Sequence, residues 1–216
     1  MKAAVKHGLL MQRLFERLRG IGVDVNPFWL FREGVTAHQF EWPELAREFP
    51  SSVLETGDIH AVAACTPWNT EQVVRARLAK GDLCIVLKSG GEIAGYTWAA
   101  FERVSDSTFA FPLCPGEAYL YDAYIAPRFR GRSLAPYLRV ESYKHLRAAG
   151  RHAFYSISDF FNTPAIKFKR KLNAEVVRLY LQVKLGGRLL GQWVLRDYAR
   201  SLESTVTQDT QARRTI

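Results

Sequence analysis

Cysteine is scarce in this sequence: three in 216 residues, Cys65, Cys84 and Cys114. Their wide, unpaired spacing excludes a disulfide framework and a zinc-binding pattern. Buried thiols are expected, with Cys114, in a Pro-Leu-Cys-Pro-Gly turn, the most exposed. Long apolar runs are also lacking, and none approaches the roughly 20 residues that cross a bilayer. The first twenty residues start basic but hold no extended apolar stretch and no cleavage-site pattern. They are not read as a signal peptide, and the expected location is cytoplasmic. There is no internal repeat and no low-complexity segment. No Gly-x-Ser-x-Gly motif is present, and no cysteine is spaced against a histidine as a nucleophile, so an acyl-enzyme mechanism has no candidate. Acidic residues are in deficit: 21 against 30 Lys and Arg, a net charge of +9.

What is present is enough for one substantial domain, or at most one domain with a small extension. Hydrophobic residues make up 48% and charged residues 24%, which is globular rather than disordered. The positive charge is concentrated. Residues 128–171 carry eleven Lys and Arg against Glu141 and Asp159 alone, a net excess of nine that matches the charge of the whole chain. Such a segment fits a polyanion: nucleic acid, an anionic membrane or a phosphorylated cofactor.

Periodicity predicts a basic amphipathic helix over residues 5–19, with Leu10, Leu14 and Leu18 on one face. Packing on its own domain and lying on a membrane surface are the two readings of that face. A strand follows at 27–33, a short helix at 42–49 with proline in its first turn, and a helix at 69–81. The last is capped by Asn69 or Thr70 and closed by Gly81. Strands at 82–89 and 93–104 form a hairpin about Gly90-Gly91. A loop is predicted at 105–117, then a strand at 118–126, a helix at 133–150, a strand at 152–158, a helix at 162–172, and strands at 174–185 and 189–198. Residues 201–216 are polar and aperiodic, and a disordered tail is expected. The order implies a mixed, mainly antiparallel sheet flanked by helices in one α/β (α+β) domain. One parallel pair, with a right-handed crossover, is expected near residues 118–158. The expected division is an N-terminal segment 1–26, a domain 27–200 and the tail.

One junction carries the chemistry. An aromatic strand ends at Ile125-Ala126-Pro127, and then Arg128, Arg130, Gly131 and Arg132 lead into the helix that is predicted to start at Ser133. Helix N-termini offer unpaired N–H groups and a positive dipole end, and glycine lets a phosphate approach them. The alternative is a solvated basic loop. The stretch Ile125 to Ser133 resembles the acetyl-CoA-binding motif of the GNAT N-acetyltransferase superfamily, with Ser133 where the family prefers Gly or Ala. A second segment, Asn162 to Ala174, resembles the family's later Asn-x-x-Ala-Ile helix, matching at Asn162, Ala165, Ile166, Lys171 and Leu172. There Lys169 stands where a tyrosine is frequent, with Asn173 and Ala174 in place of Gly and Phe.

The resemblance implies a GNAT-like fold, acetyl-CoA or another acyl-CoA as cofactor, and direct transfer of the acyl group to an amine. It implies a phosphate cradle of Arg128, Arg130, Gly131, Arg132, Ser133 and Leu134, with Asn162 also on the cofactor. The thioester oxygen would be met by the backbone N–H of Tyr124 or Ile125. Proton traffic is less determined. Lys169 is a proton donor or a salt-bridging lysine. The family's glutamate position falls on Tyr121, and Asp122 beside it is a binder of the cationic amine or a structural hydrogen-bonder. Glu117 is a weaker base candidate, and Tyr119, Tyr121, Tyr124 and Tyr155 are pocket wall or, in one case, the acid. Three functional readings stay open: an N-acetyltransferase; a long-chain N-acyltransferase using acyl-CoA or an acyl carrier protein, with peripheral membrane contact through the N-terminal helix; and a non-catalytic acyl-CoA-binding protein. Nucleic acid is disfavoured, since no reading motif accompanies the charge. The sequence specifies neither the acceptor nor an oligomeric state.

Overall fold

A computed structural model describes residues 2–35, 40–105 and 110–198. The elements run α1 (Lys2–Gly20), β1 (Val23–Glu33), α2 (Pro43–Glu48), β2 (Ser51–Val53), α3 (Ile59–Ala63), α4 (Glu71–Ala79), β3 (Leu83–Ser89), β4 (Glu92–Ala100), β5 (Arg103–Ser105), β6 (Ala110–Pro112), β7 (Glu117–Ile125), α5 (Leu134–Ala148), β8 (Ala153–Asp159), α6 (Thr163–Lys171), β9 (Glu175–Leu185) and β10 (Arg188–Asp197). The fold is mixed α/β with a mostly antiparallel sheet, as the element order predicts. The expected parallel pair is present: β7 and β8 align Glu117 with Ala153 and Tyr119 with Tyr155, with α5 as the crossover.

The chain divides into two compact units, one drawn from Met1–Phe31, Ile157–Ile166 and Glu175–Ile216, the other from Arg32–Ser156 and Lys167–Ala174. In the second unit the strand order is β8-β7-β4-β3-β2. Its central strands β3 and β4 are buried on both faces almost throughout, so they read as continuous apolar runs rather than as alternating ones. One face holds Cys84, Val86, Tyr96 and Trp98, packed by Ile59 and Val62 of α3 and Val74 of α4. The other holds Ile85, Leu87, Ala94, Leu120 and Phe154, packed by α5 through Leu134, Tyr137, Leu138, Val140, Tyr143 and Leu146. Each such aliphatic or aromatic side chain contributes about 1.5–3 kcal/mol when fully buried, so α5 is anchored along its length. In the first unit, β9 pairs with β10 antiparallel from Arg188↔Leu185, and Phe28 of β1 stacks on Tyr180 of β9 at 5.2 Å. In α1, Phe15 meets Phe161 edge-on at 5.9 Å. Leu10 and Leu14, 56% and 48% exposed, do not share in that packing.

The predicted loop at 105–117 is corrected: β5 and β6 pair across it, Arg103↔Pro112. The expected tail at 201–216 lies outside the described residues. No described helix is long and apolar enough to cross a membrane.

Candidate active site

The site is built around β7. Opposite it on β4, Tyr96 faces Tyr124 but Trp98 faces Tyr121, so Asp122 and Ala123 together oppose Thr97. This is a β-bulge, and Asp122 takes it up at φ +47, a conformation aspartate adopts more readily than most residues. Beyond the bulge the ladder is regular, and Ala126 N–H donates to Ala94 O at 2.9 Å. Antiparallel ladders alternate bonded and non-bonded pairs. Tyr124 therefore spends its N–H on β4, whereas Ile125 turns its N–H to the opposite edge. On that edge the pairing with β8 stops at Tyr119↔Tyr155 among the described residues. Of the two backbone donors the resemblance offers, the ladder leaves Ile125.

Past Ile125 the chain makes one turn, and α5 starts at Leu134. Gly131 has φ +82 and a Cβ placed there would meet nothing within 4 Å, so a ligand can approach its backbone closely. Ser133 also sits in the left-handed region, at φ +59. It occupies the N-cap position, but its hydroxyl caps no helix N–H. The first backbone helical bond here runs from Tyr137 N–H to Ser133 O, at 3.2 Å. The N–H groups of Leu134 and Ala135 therefore point out of the helix, and Pro136, tolerated in a first turn, has none. The Leu134 side chain is buried; only its backbone faces the cradle. The three arginines all have protein partners: Arg128 an ion pair with Glu92, Arg130 Nε the Ile125 carbonyl at 3.1 Å, and Arg132 the Glu48 carboxylate at 2.5 Å. Arg128 and Arg132 are about half exposed, so these weak surface pairs can be exchanged for phosphate oxygens. The cradle fits a pyrophosphate.

Beside β7, on the α4 face, lies a cavity of about 650 Å³ lined by Trp68, Arg77, Asp82, Tyr119, Tyr121 and Asp122, with Lys80, Glu102 and Arg103 among the rest. Arg77 organises it. Its Nη1 donates to Asp122 Oδ2 at 2.5 Å and to Asn69 Oδ1 at 3.4 Å. Its guanidinium lies 5.1 Å from the ring centroids of both Trp98 and Tyr121. Tyr121 in turn donates to Asp82 Oδ2 at 2.5 Å. Burial, then the Asp82 carboxylate, hold the Tyr121 phenol far above its ordinary value. Burial likewise raises Asp82, with the Tyr121 hydrogen bond pulling the other way.

The remaining predicted residues lie elsewhere. Lys169 is 2% exposed and set 3.7 Å from Glu33 Oε1. That carboxylate also meets Arg139 at 3.4 Å, Tyr143 at 2.6 Å and Ser156. Lys169 is thus engaged as a salt-bridging lysine in the core. Asn162 caps α6, its Oδ1 accepting from Ala165 N–H at 3.2 Å, and belongs to the first unit. Glu117 Oε2 accepts from Cys114 N–H at 2.8 Å. Cys84 is buried with its thiol raised by desolvation, Cys65 is half-buried and likewise raised, and Cys114 is exposed. Among the described residues no group of three or more His, Cys, Asp or Glu is placed to hold a metal ion. Sequence reading missed Arg77, Asp82 and Trp68 as site residues; on a capped helix or in a connecting turn they carry no local signature of chemistry.

Residues 35–174 match the model of the acetyltransferase (GNAT) family. That is more than half of the chain, and the protein belongs to this family, whose acyl donor is acetyl-CoA. Among solved structures it is similar to a GNAT-family acetyltransferase from Colwellia psychrerythraea (14% identity, 76% of this chain and 57% of that one, TM-score 0.56). It is also similar to an N-acetyltransferase from Sphaerobacter thermophilus (17%, 84% and 56%, 0.54) and a GNAT-family protein from Novosphingobium aromaticivorans (19%, 76% and 66%, 0.55). The chain thus spans less than two thirds of the length of each, and the likeness is one of fold. No curated protein matches.

Proposed function

We propose that this protein is an N-acetyltransferase that moves the acetyl group of acetyl-CoA directly to a primary amine lodged in the Arg77–Tyr121 cavity. One observation carries the reading. A single strand, β7, borders the cavity at Tyr121, turns the Ile125 N–H to an open edge, and delivers the chain to the α5 cradle. In this reading the N–H groups of Leu134 and Ala135, with Gly131 and the Arg128, Arg130 and Arg132 side chains, hold the pyrophosphate of the donor. The Ile125 N–H receives the thioester oxygen as it gains charge, and the amine attacks from the cavity. Bound acetyl-CoA supplies the activated acyl group. The Asp122 carboxylate, held by Arg77, shapes the acceptor wall, and Tyr124, just past the bulge and stacked on Tyr96 at 5.5 Å, is the candidate acid for the departing thiolate. Lys169, engaged by Glu33, takes no part in the chemistry, and Asn162 serves as the α6 cap.

The test is a thermal-shift titration with acetyl-CoA, CoA and a long-chain acyl-CoA, followed by an amine screen. Stabilisation by acetyl-CoA and CoA, reduced in Gly131→Val at the same ligand concentration, is expected. A larger shift with the long-chain thioester would move the reading to a long-chain donor. No shift with any of them rules out the acyltransferase.

A further inference from the structure

Three carboxylates line the cavity, and they are not equivalent. Asp122 is closed off by the Arg77 guanidinium at 2.5 Å. Glu102, past the end of β4, is solvent-exposed. Asp82 differs from both: its partner is a neutral phenol, Tyr121, and no ion pair holds it among the described residues.

Its position is set by the backbone. Gly81, at φ +84, ends α4 with a Schellman turn, in which Gly81 N–H donates to Leu78 O at 2.9 Å and Asp82 N–H to Arg77 O at 3.1 Å. That pattern fixes the residue after the glycine. Here it aims Asp82 at β7, 39 residues further along the chain. The charged and titratable groups facing Asp82 are Tyr121 from β7, Lys80 and Arg77 from α4 and its cap, and Glu102 beyond β4.

We infer that Asp82 is the proton acceptor for the incoming amine, and that Tyr121 is the residue that positions it. The inference rests on the acetyl-transfer reading above and adds to it a group that no resemblance supplies. The family's carboxylate position is a tyrosine in this chain, and a carboxylate is brought to that tyrosine from the α4–β3 turn. The substrate ammonium gives one proton to the Asp82 carboxylate and becomes a neutral amine. Its lone pair forms the C–N bond while the thioester C–S bond breaks. Tyr124, the candidate acid, gives its phenol proton to the departing thiolate and takes up the second N–H proton in turn, leaving amide, CoA thiol and a protonated Asp82 that releases its proton to solvent. Burial, against the Tyr121 hydrogen bond and the two cations, lifts Asp82 above the ordinary aspartate range, which brings a carboxylate closer to a base matched to neutral pH.

The experiment uses the full chain and the variants D82N, D82E and Y121F, each checked for folding and for CoA affinity by calorimetry. Transfer from acetyl-CoA to a panel of alkylamines, arylalkylamines, amino acids and peptide N-termini is followed by thiol release as a function of pH. D82N is expected to lower kcat/KM by about a hundredfold or more with CoA affinity unchanged, and to remove the acid limb of the pH profile. D82E is expected to restore part of the rate. Y121F is expected to move the acid limb to higher pH, because the hydrogen bond that favours the carboxylate is gone; a merely structural role for Tyr121 would leave the limb in place. D82N with the wild-type rate and limb overturns the inference. If the wild type binds CoA and acetylates none of the amines, the acetyl-transfer reading fails, and the inference that rests on it falls with it. A carboxyl-carbon NMR titration tests Asp82 apart from turnover: an ordinary aspartate value, or no response to Y121F, overturns the inference even where amines are acetylated.

Discussion

At the scale of single residues, the cradle joins two left-handed positions with different chemistry. Gly131 occupies its position without cost, whereas Ser133, at φ +59, bears the roughly 1–2 kcal/mol that a Cβ incurs there. Ser133→Gly is therefore expected to stabilise the fold by about 0.5–1 kcal/mol, after the larger chain entropy of glycine is set against the relief. The melting temperature should rise by about 1–4 °C with CoA affinity kept; a fall in either shows that the hydroxyl contributes something the geometry does not reveal. Gly131→Val makes no clash, since nothing lies near its Cβ. Its effect is on the backbone: about 1–2 kcal/mol of stability, and CoA affinity weaker by about tenfold to a hundredfold if one charge-assisted hydrogen bond is lost. Calorimetry with CoA separates the two effects.

Among the elements, the Glu33 cluster fastens the end of β1 to α5, β8 and α6 within one unit. Glu33 is fully buried, and burial alone would raise its pKa. Arg139, Lys169, Ser156 and Tyr143 outweigh that and hold it below the ordinary value. A depressed carboxylate contributes stability that is fully present above the unfolded value, near 4.5, and is lost as pH falls through the folded one. Acid unfolding is thus expected to set in below the ordinary carboxylate range. Glu33→Gln, which leaves two cations buried without a counter-charge, is expected to cost about 3–5 kcal/mol and to flatten the acid limb of stability, as read by urea titrations from pH 3 to 7. Elements whose signals are local were legible in the sequence. Thr70 caps α4 by accepting from Val73 N–H at 3.4 Å, Gly81 closes it, and Gly90-Gly91 turns β3 into β4. Elements of three to five residues were not. β2, α3, β5 and β6 exist through their neighbours, and no period can establish itself over so short a length. The same division holds at the site. The cradle is contiguous in sequence and could be read, whereas the Arg77–Asp122 and Tyr121–Asp82 pairs join residues 45 and 39 apart and depend on a bulge that leaves no mark on composition.

For the whole molecule, the excess positive charge of residues 128–171 includes the three arginines of the cradle, whereas Arg139 and Lys169 are engaged by Glu33 in the core, so a part of the net charge of +9 faces a phosphorylated donor. A ligand that binds only the folded state stabilises it by about 2.7 kcal/mol at one hundred times its dissociation constant. In a chain of this length that corresponds to a rise of about 5–11 °C in melting temperature. All cradle and cavity residues named here belong to the second unit, so the gain falls on the transition that reports its unfolding. Arg128 and Arg132 lie at the surface and interact through screened charge, whereas the N–H groups of Leu134 and Ala135 act at contact distance. Raising salt from about 0.05 M to 0.5 M shortens the Debye length from about 14 Å to about 4 Å. It is expected to reduce the acetyl-CoA shift in part without abolishing it. A shift insensitive to salt would assign the binding to the backbone cradle alone, and its complete loss would assign it to the arginines.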